Sequence, residues 1–189
     1  MIKSILAFIG AIVIVLGLGG YFMMGSSVAK LDAGAMPAYM DMFSKVLKDG
    51  DPAKAMMKEY KVLDDVSNDD VADSIYAIAE EYNMRITGDI RMFTKEDAKP
   101  TEVKHTRIFS MCSLHIAKVF LNHSRYFGGF MPCRVMLVEY GNGERYLVTM
   151  DLTLAIHGGF PLDGQMLELA TKVQTAMTDI PLRAAKGDF

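Results

Sequence analysis

Residues Gly129 to Leu152 read GFMPCRVMLVEYGNGERYLVTMDL, two runs of strand-forming residues joined by a short turn. Asn142-Gly143 is the pair that a two-residue type I′ hairpin turn prefers. Such a turn predicts Tyr140 opposite Arg145, Val138 opposite Leu147, Met136 opposite Thr149 and Arg134 opposite Asp151. Because side chains alternate along a strand, one face then carries Val135, Leu137, Tyr146, Val148 and Met150, with Glu139 near the turn. Cys133 has the parity of this apolar face, and Pro132 at the first strand position needs no ladder hydrogen bond. The hairpin therefore predicts an inward-pointing Cys133 and a cross-strand ion pair between Arg134 and Asp151.

The whole chain has room for one folded domain with additions: it has 189 residues, 51% of them hydrophobic, and a formal net charge of -3. That charge offers no basic excess for nucleic acid. Residues 5–24, ILAFIGAIVIVLGLGGYFMM, form an uncharged apolar run. A helix needs about 20 such residues, at about 1.5 Å each, to cross roughly 30 Å of hydrocarbon. A cleaved signal peptide is the rival reading, with Ser27-Val28-Ala29 offering small residues to a peptidase, but its apolar core spans about 7–15 residues. The expectation is a single transmembrane anchor over residues 1–27, held in the lipid bilayer through residues 5–24. Lys3 precedes the span and the next positive charge, Lys30, follows it, which orients the amino terminus toward the cytoplasm. The expected location is a bacterial inner membrane, crossed once, with the C-terminal domain in the periplasm.

Residues 28–65 read as a Met-rich helical connection. Met36, Met40, Phe43 and Leu47 recur at helical spacing, and Gly50-Asp51-Pro52 ends one helix and starts another. Ser67 or Asn68 caps a further helix whose Val71, Ile75, Ile78 and Tyr82 make an apolar stripe. Residues 84–93 read as a strand with a bulge at Gly88, residues 95–104 as a polar loop, and a second strand ends near Cys112. A short helix from Leu114 to Leu121 and a last one from about Asp163 to Met177 complete the pattern. The fold class is α+β, a largely antiparallel sheet covered by helices and preceded by a single transmembrane helix, with residues 66–189 as the domain.

A strand ending in Cys112, a short helix with Ala117 and Leu121, then MPCRVMLVEY, a glycine-bearing turn and YLVTMDL together resemble the bacterial and archaeal domain of unknown function family 302. The likeness covers roughly residues 66–180. It implies a compact α+β domain that can dimerise, and it brings no established catalytic activity and so no catalytic residue. Ser113-Leu114 replaces the Asn-Pro that the resemblance leads one to expect after the first cysteine. The anchor and the helical connection also depart from the common soluble form.

Two cysteines define the candidate chemistry. Cys112 lies just before a helix N-terminus, where the dipole favours a thiolate, so it is the better nucleophile of the pair. Cys112 and Cys133 read alternatively as buried free thiols, a structural disulfide or a redox pair. His115 with both cysteines makes a weak candidate zinc or copper set, lacking a fourth ligand and any C-x-x-C motif. Met36, Met40 and Phe43 are candidate partner-docking residues, because Met packs adaptably at interfaces. No cofactor is expected. The functional expectation is a membrane-anchored extracytoplasmic accessory or interaction protein, a subunit of a respiratory or other membrane complex, or a homo-oligomer. The competing class is a thiol-redox or metal-handling protein using Cys112 and Cys133.

Overall fold

In the computed structural model the hairpin forms the middle of a sheet; residues 2–189 are described, with side chains in the first helix described at 8–20 and 25–28. Strands β4 (Cys133–Tyr140) and β5 (Arg145–Met150) pair with each other. Strands β3 (Val103–Cys112) and β2 (Arg85–Thr94) extend the sheet beyond β4, and β1 (Met57–Lys61) closes it beyond β5. Each neighbouring pair is antiparallel. Helices α4 (Asn68–Glu81) and α7 (Gly164–Ala184) pack together on one face of the sheet. Between helices and sheet, Ile75, Ile78, Phe109, Met111, Val135, Leu137, Leu147 and Ile180 are fully buried, which gives the expected α+β architecture its core.

The turn differs from the expected one by a single residue. Tyr140 N–H donates to the Glu144 carbonyl at 2.9 Å, and Gly143 N–H donates to the Tyr140 carbonyl at 2.9 Å. This is a three-residue loop with Gly143 at φ +86°, the left-handed position that such loops reserve for glycine. Glu144 N–H donating to Asn142 Oδ1 at 3.0 Å supports this closure. The register therefore moves, placing Leu147 opposite Leu137, Thr149 opposite Val135 and Arg145 opposite Glu139. Strand β4 keeps its expected parity while β5 turns over: Leu147 and Thr149 point inward, and Tyr146, Val148 and Met150 point outward. The expected Arg134–Asp151 pair does not form, because Asp151 accepts instead from the Thr153 N–H and hydroxyl at 2.9 and 2.6 Å. Gly141 has its own constraint: a Cβ there would strike the Lys99 carbonyl, where the polar loop before β3 crosses the turn.

Residues 28–65 are not helical throughout. Helices α2 (Ala35–Asp49) and α3 (Pro52–Met56) are present, but the chain then becomes strand β1, with Met57 opposite Met150 and Lys61 opposite Tyr146. Asp51 caps α3 by accepting from the N–H groups of Ala53 and Lys54 at 2.8 and 3.3 Å, and that helix lasts only five residues. Lys58, Glu59 and Lys61 then suit an edge strand, where charge discourages further pairing. Val62, 2% exposed, enters the main core directly after β1. Arg145 binds the next connection by donating to the carbonyls of Leu63 at 2.9 Å, Asp64 at 3.1 Å and Val66.

Ser67 caps α4 and forms a reciprocal capping box with Asp70. Helix α5 (Leu114–His123), a 3₁₀ helix (Arg125–Phe130) and α6 (Thr153–His157) gather at one end of the sheet. There Phe120, Ile156, Met166 and Ala170 form a second, smaller core. Helix α1 (Ile2–Val28) precedes these elements; its Phe8–Val28 portion is long and apolar enough to cross a membrane, and the described residues of that portion are not buried against the rest of the chain.

Candidate functional site

Cys112 ends β3 and Cys133 opens β4, one residue out of register, with Met111 directly opposite Cys133. Both thiols are free. Cys133 packs against the main core, as its parity predicts. Burial pushes its pKa up to about 11, with a smaller contribution from Cys112. Burial also raises Cys112, so the helix start that follows it does not produce an activated thiolate. His115 sits in the first turn of α5. No three His, Cys, Asp or Glu side chains form a metal-holding group among the described residues, so Cys112, His115 and Cys133 do not converge as ligands. Two of the other histidines make local contacts: His105 Nδ1 lies 3.0 Å from Thr94 Oγ1, and His157 Nδ1 lies 3.0 Å from Asp32 Oδ1.

One part-buried polar group is structural in form. Arg107 donates from Nε and Nη2 to the two Asp89 carboxylate oxygens at 2.8 and 2.7 Å, and the Tyr76 hydroxyl of α4 donates to Asp89 at 3.0 Å. This bidentate pair holds the Asp89 carboxyl below its usual range and ties α4 to β2 and β3.

The second face of the sheet is the most unusual feature. An antiparallel sheet with one wet face normally alternates apolar and polar residues. Strand β4 instead runs Val135-Met136-Leu137-Val138, a pattern suited to burial on both faces. Helices α4 and α7 cover the Val135 and Leu137 side. On the other side Ile108, Met136, Val138, Val148 and Met150 are only partly buried, and Ile90 and Phe93 at the β2 edge are 57% and 47% exposed. A cleft of about 330 Å³ runs along this face between Met57, Ile108, Phe130, Met136, Val148 and Met150, with Arg134 at its wall. A second cleft of about 240 Å³ shares Met57, Phe130 and Met150 and continues to Met42 of α2 and Met56 of α3. Polarisable, adaptable Met side chains thus line both clefts.

The docking candidates on α2 do not line these clefts. Met36, Met40 and Phe43 are 49%, 58% and 55% exposed, and Leu47 continues their row at 70%. The expectation for Val148 and Met150 as core residues concealed the open sheet face. The unbroken apolar run in β4 was the signal that could have revealed it.

Among solved structures, the chain is similar to the crystal structure of an uncharacterized conserved protein DUF302 from Bacillus stearothermophilus. The TM-score is 0.51 at 12% identity, covering 68% of this chain and 98% of the other, a likeness of fold. No curated protein matches. The sequence profile described as domain of unknown function DUF302 matches residues 59–181, from within β1 to near the end of α7, and the chain belongs to that family.

Proposed function

We propose that the protein is a single-pass, membrane-anchored interaction protein, with its domain on the periplasmic side of a bacterial inner membrane and its open sheet face bound to a partner polypeptide. The observation that carries this reading is the apolar face of β2, β3, β4 and β5 opposite the α4 and α7 layer. Large contiguous apolar surfaces on a folded domain mark interaction sites. The α1 span supplies attachment to the bilayer, and the partner is another membrane protein, as in a respiratory or other membrane complex, or a second copy of this chain. The competing thiol-redox reading gains no activated thiolate from Cys112 or Cys133.

A photo-crosslinking residue placed at Met136 in native membranes tests the reading. Irradiation should join the protein to a second polypeptide, whose mass separates a different partner from a second copy. The same probe at the exposed α7 residue Lys172 should give no such adduct. Equal adducts from both positions, or none from Met136, would overturn the proposal.

A further inference from the structure

We infer that α2 lies along the periplasmic surface of the bilayer, with Met36, Met40, Phe43 and Leu47 inserted among the outer acyl chains beside Phe160. This inference rests on the reading of α1 as a membrane span. The four α2 residues follow i, i+4, i+7, i+11 spacing, which puts them on one narrow line of the helix. All four are exposed, the least at 49%. The opposite side of α2 already has a role: Ala35 is fully buried, and Ala38 and Met42 line the cleft shared with α3 and α6. The exposed line is therefore additional to the packing that holds the helix in the domain.

Chain geometry selects the bilayer as the occupant. Only residues 29–34 separate the end of α1 from the start of α2. Fully extended, those residues would reach on the order of 25 Å. They are instead folded into turns, with Lys30 N–H donating to Ser27 at 3.2 Å, Leu31 N–H to Val28 at 3.0 Å and Ala35 N–H to Asp32 at 2.9 Å. The stripe thus begins within a short distance of the lipid surface from which the span emerges. It is also pinned there: Asp32 N–H donates to the Gly159 carbonyl at 2.9 Å, and the Tyr39 hydroxyl donates to the Gly158 carbonyl at 2.9 Å.

The same joint fixes Phe160, 65% exposed, immediately after the carbonyl that receives Asp32. An apolar side chain from a distant part of the sequence therefore reaches the membrane-proximal end together with the α2 row. Lys30 and Lys48 stand at the two ends of the row in sequence. An amphipathic helix of this form buries its apolar side about 5–10 Å into the headgroup and acyl boundary.

The chain contains no tryptophan, so one introduced Trp reports its own surroundings. The full chain carrying Phe43→Trp, Ile14→Trp or Leu63→Trp would be placed in nanodiscs whose lipids carry bromine at a chosen acyl depth. Phe43→Trp should lose most of its emission to shallow bromines, Ile14→Trp to deep ones, and Leu63→Trp to neither. Met40→Trp provides a second reading of the stripe. Quenching at Ile14→Trp without quenching at Phe43→Trp and Met40→Trp would overturn this inference and leave the span intact. Blue-shifted but unquenched emission from the stripe would assign it to a protein partner or a second copy and also overturn it. Loss of quenching at Ile14→Trp would remove the span on which the inference rests.

Discussion

Cys133 holds its proton to about pH 11 because it is packed among apolar side chains. An unfolded chain releases a cysteine proton near about pH 8.5. Between those values the unfolded state binds fewer protons than the folded state, so stability falls as pH rises. The contribution is complete below the unfolded pKa and is lost on the order of 1–3 kcal/mol by the folded one. Urea titrations from pH 8 to 11 should show a shallower alkaline decline for Cys133→Ala than for the native chain; parallel declines would refute burial as the cause. Cys133→Ser places a hydroxyl in the same setting and should lower stability at pH 7 by about 1–3 kcal/mol, read from the same titration. Asp89 has the opposite sign. Its carboxyl is depressed chiefly by Arg107, so the pair's stabilisation is present above the unfolded carboxylate pKa of about 3.9 and disappears as pH falls through the folded value. Arg107→Leu should cost about 1.5–3 kcal/mol at pH 7 and progressively less as acid protonates Asp89, an expectation that a pH-independent loss would contradict.

At the scale of elements, β1 changes what must be retained for folding. Tyr60 packs against the main core and Val62 enters it, while β1 supplies the partner for the free side of β5. A chain beginning at residue 64 loses all three contributions, although residues 66–189 had read as the domain. It should lose more than about 3 kcal/mol relative to a chain beginning at residue 51, since each large apolar side chain removed from a core costs roughly 1.5–3 kcal/mol. Chemical denaturation of the two chains checks this, and equal midpoints would show that β1 is dispensable. The cap and apolar spacing of α4 were legible because they are local: Ser67 and Asp70 meet within one turn. Strand β1 was hidden because its five residues carry three charges, and only pairing with the distant β5 makes them a strand. The hairpin was legible as a hairpin, but its turn admits both two- and three-residue closures. The choice of the three-residue form reversed the facing of β5, and with it the identity of the open-face residues. The cysteines' positions in the strands were legible, whereas their raised pKa values depend on neighbours that only the folded core supplies.

Across the whole molecule, the proposed function uses the apolar α1 and the open face of the sheet, and the inferred bilayer contact adds the exposed row on α2. The packed domain leaves all of them available while enclosing both cysteines partly or largely. Removing residues 1–27 should therefore leave the body folded, because the described residues of that span bury nothing against the domain. The most direct measurement of the anchored, periplasmic arrangement is protease treatment of intact spheroplasts that express the full chain with an epitope tag after Phe189. The account predicts that the tag is lost before lysis, that a short α1 fragment stays protected, and that alkaline carbonate leaves the untreated protein in the membrane pellet. A tag that survives until the inner membrane is broken, or a protein that carbonate extracts, would contradict it.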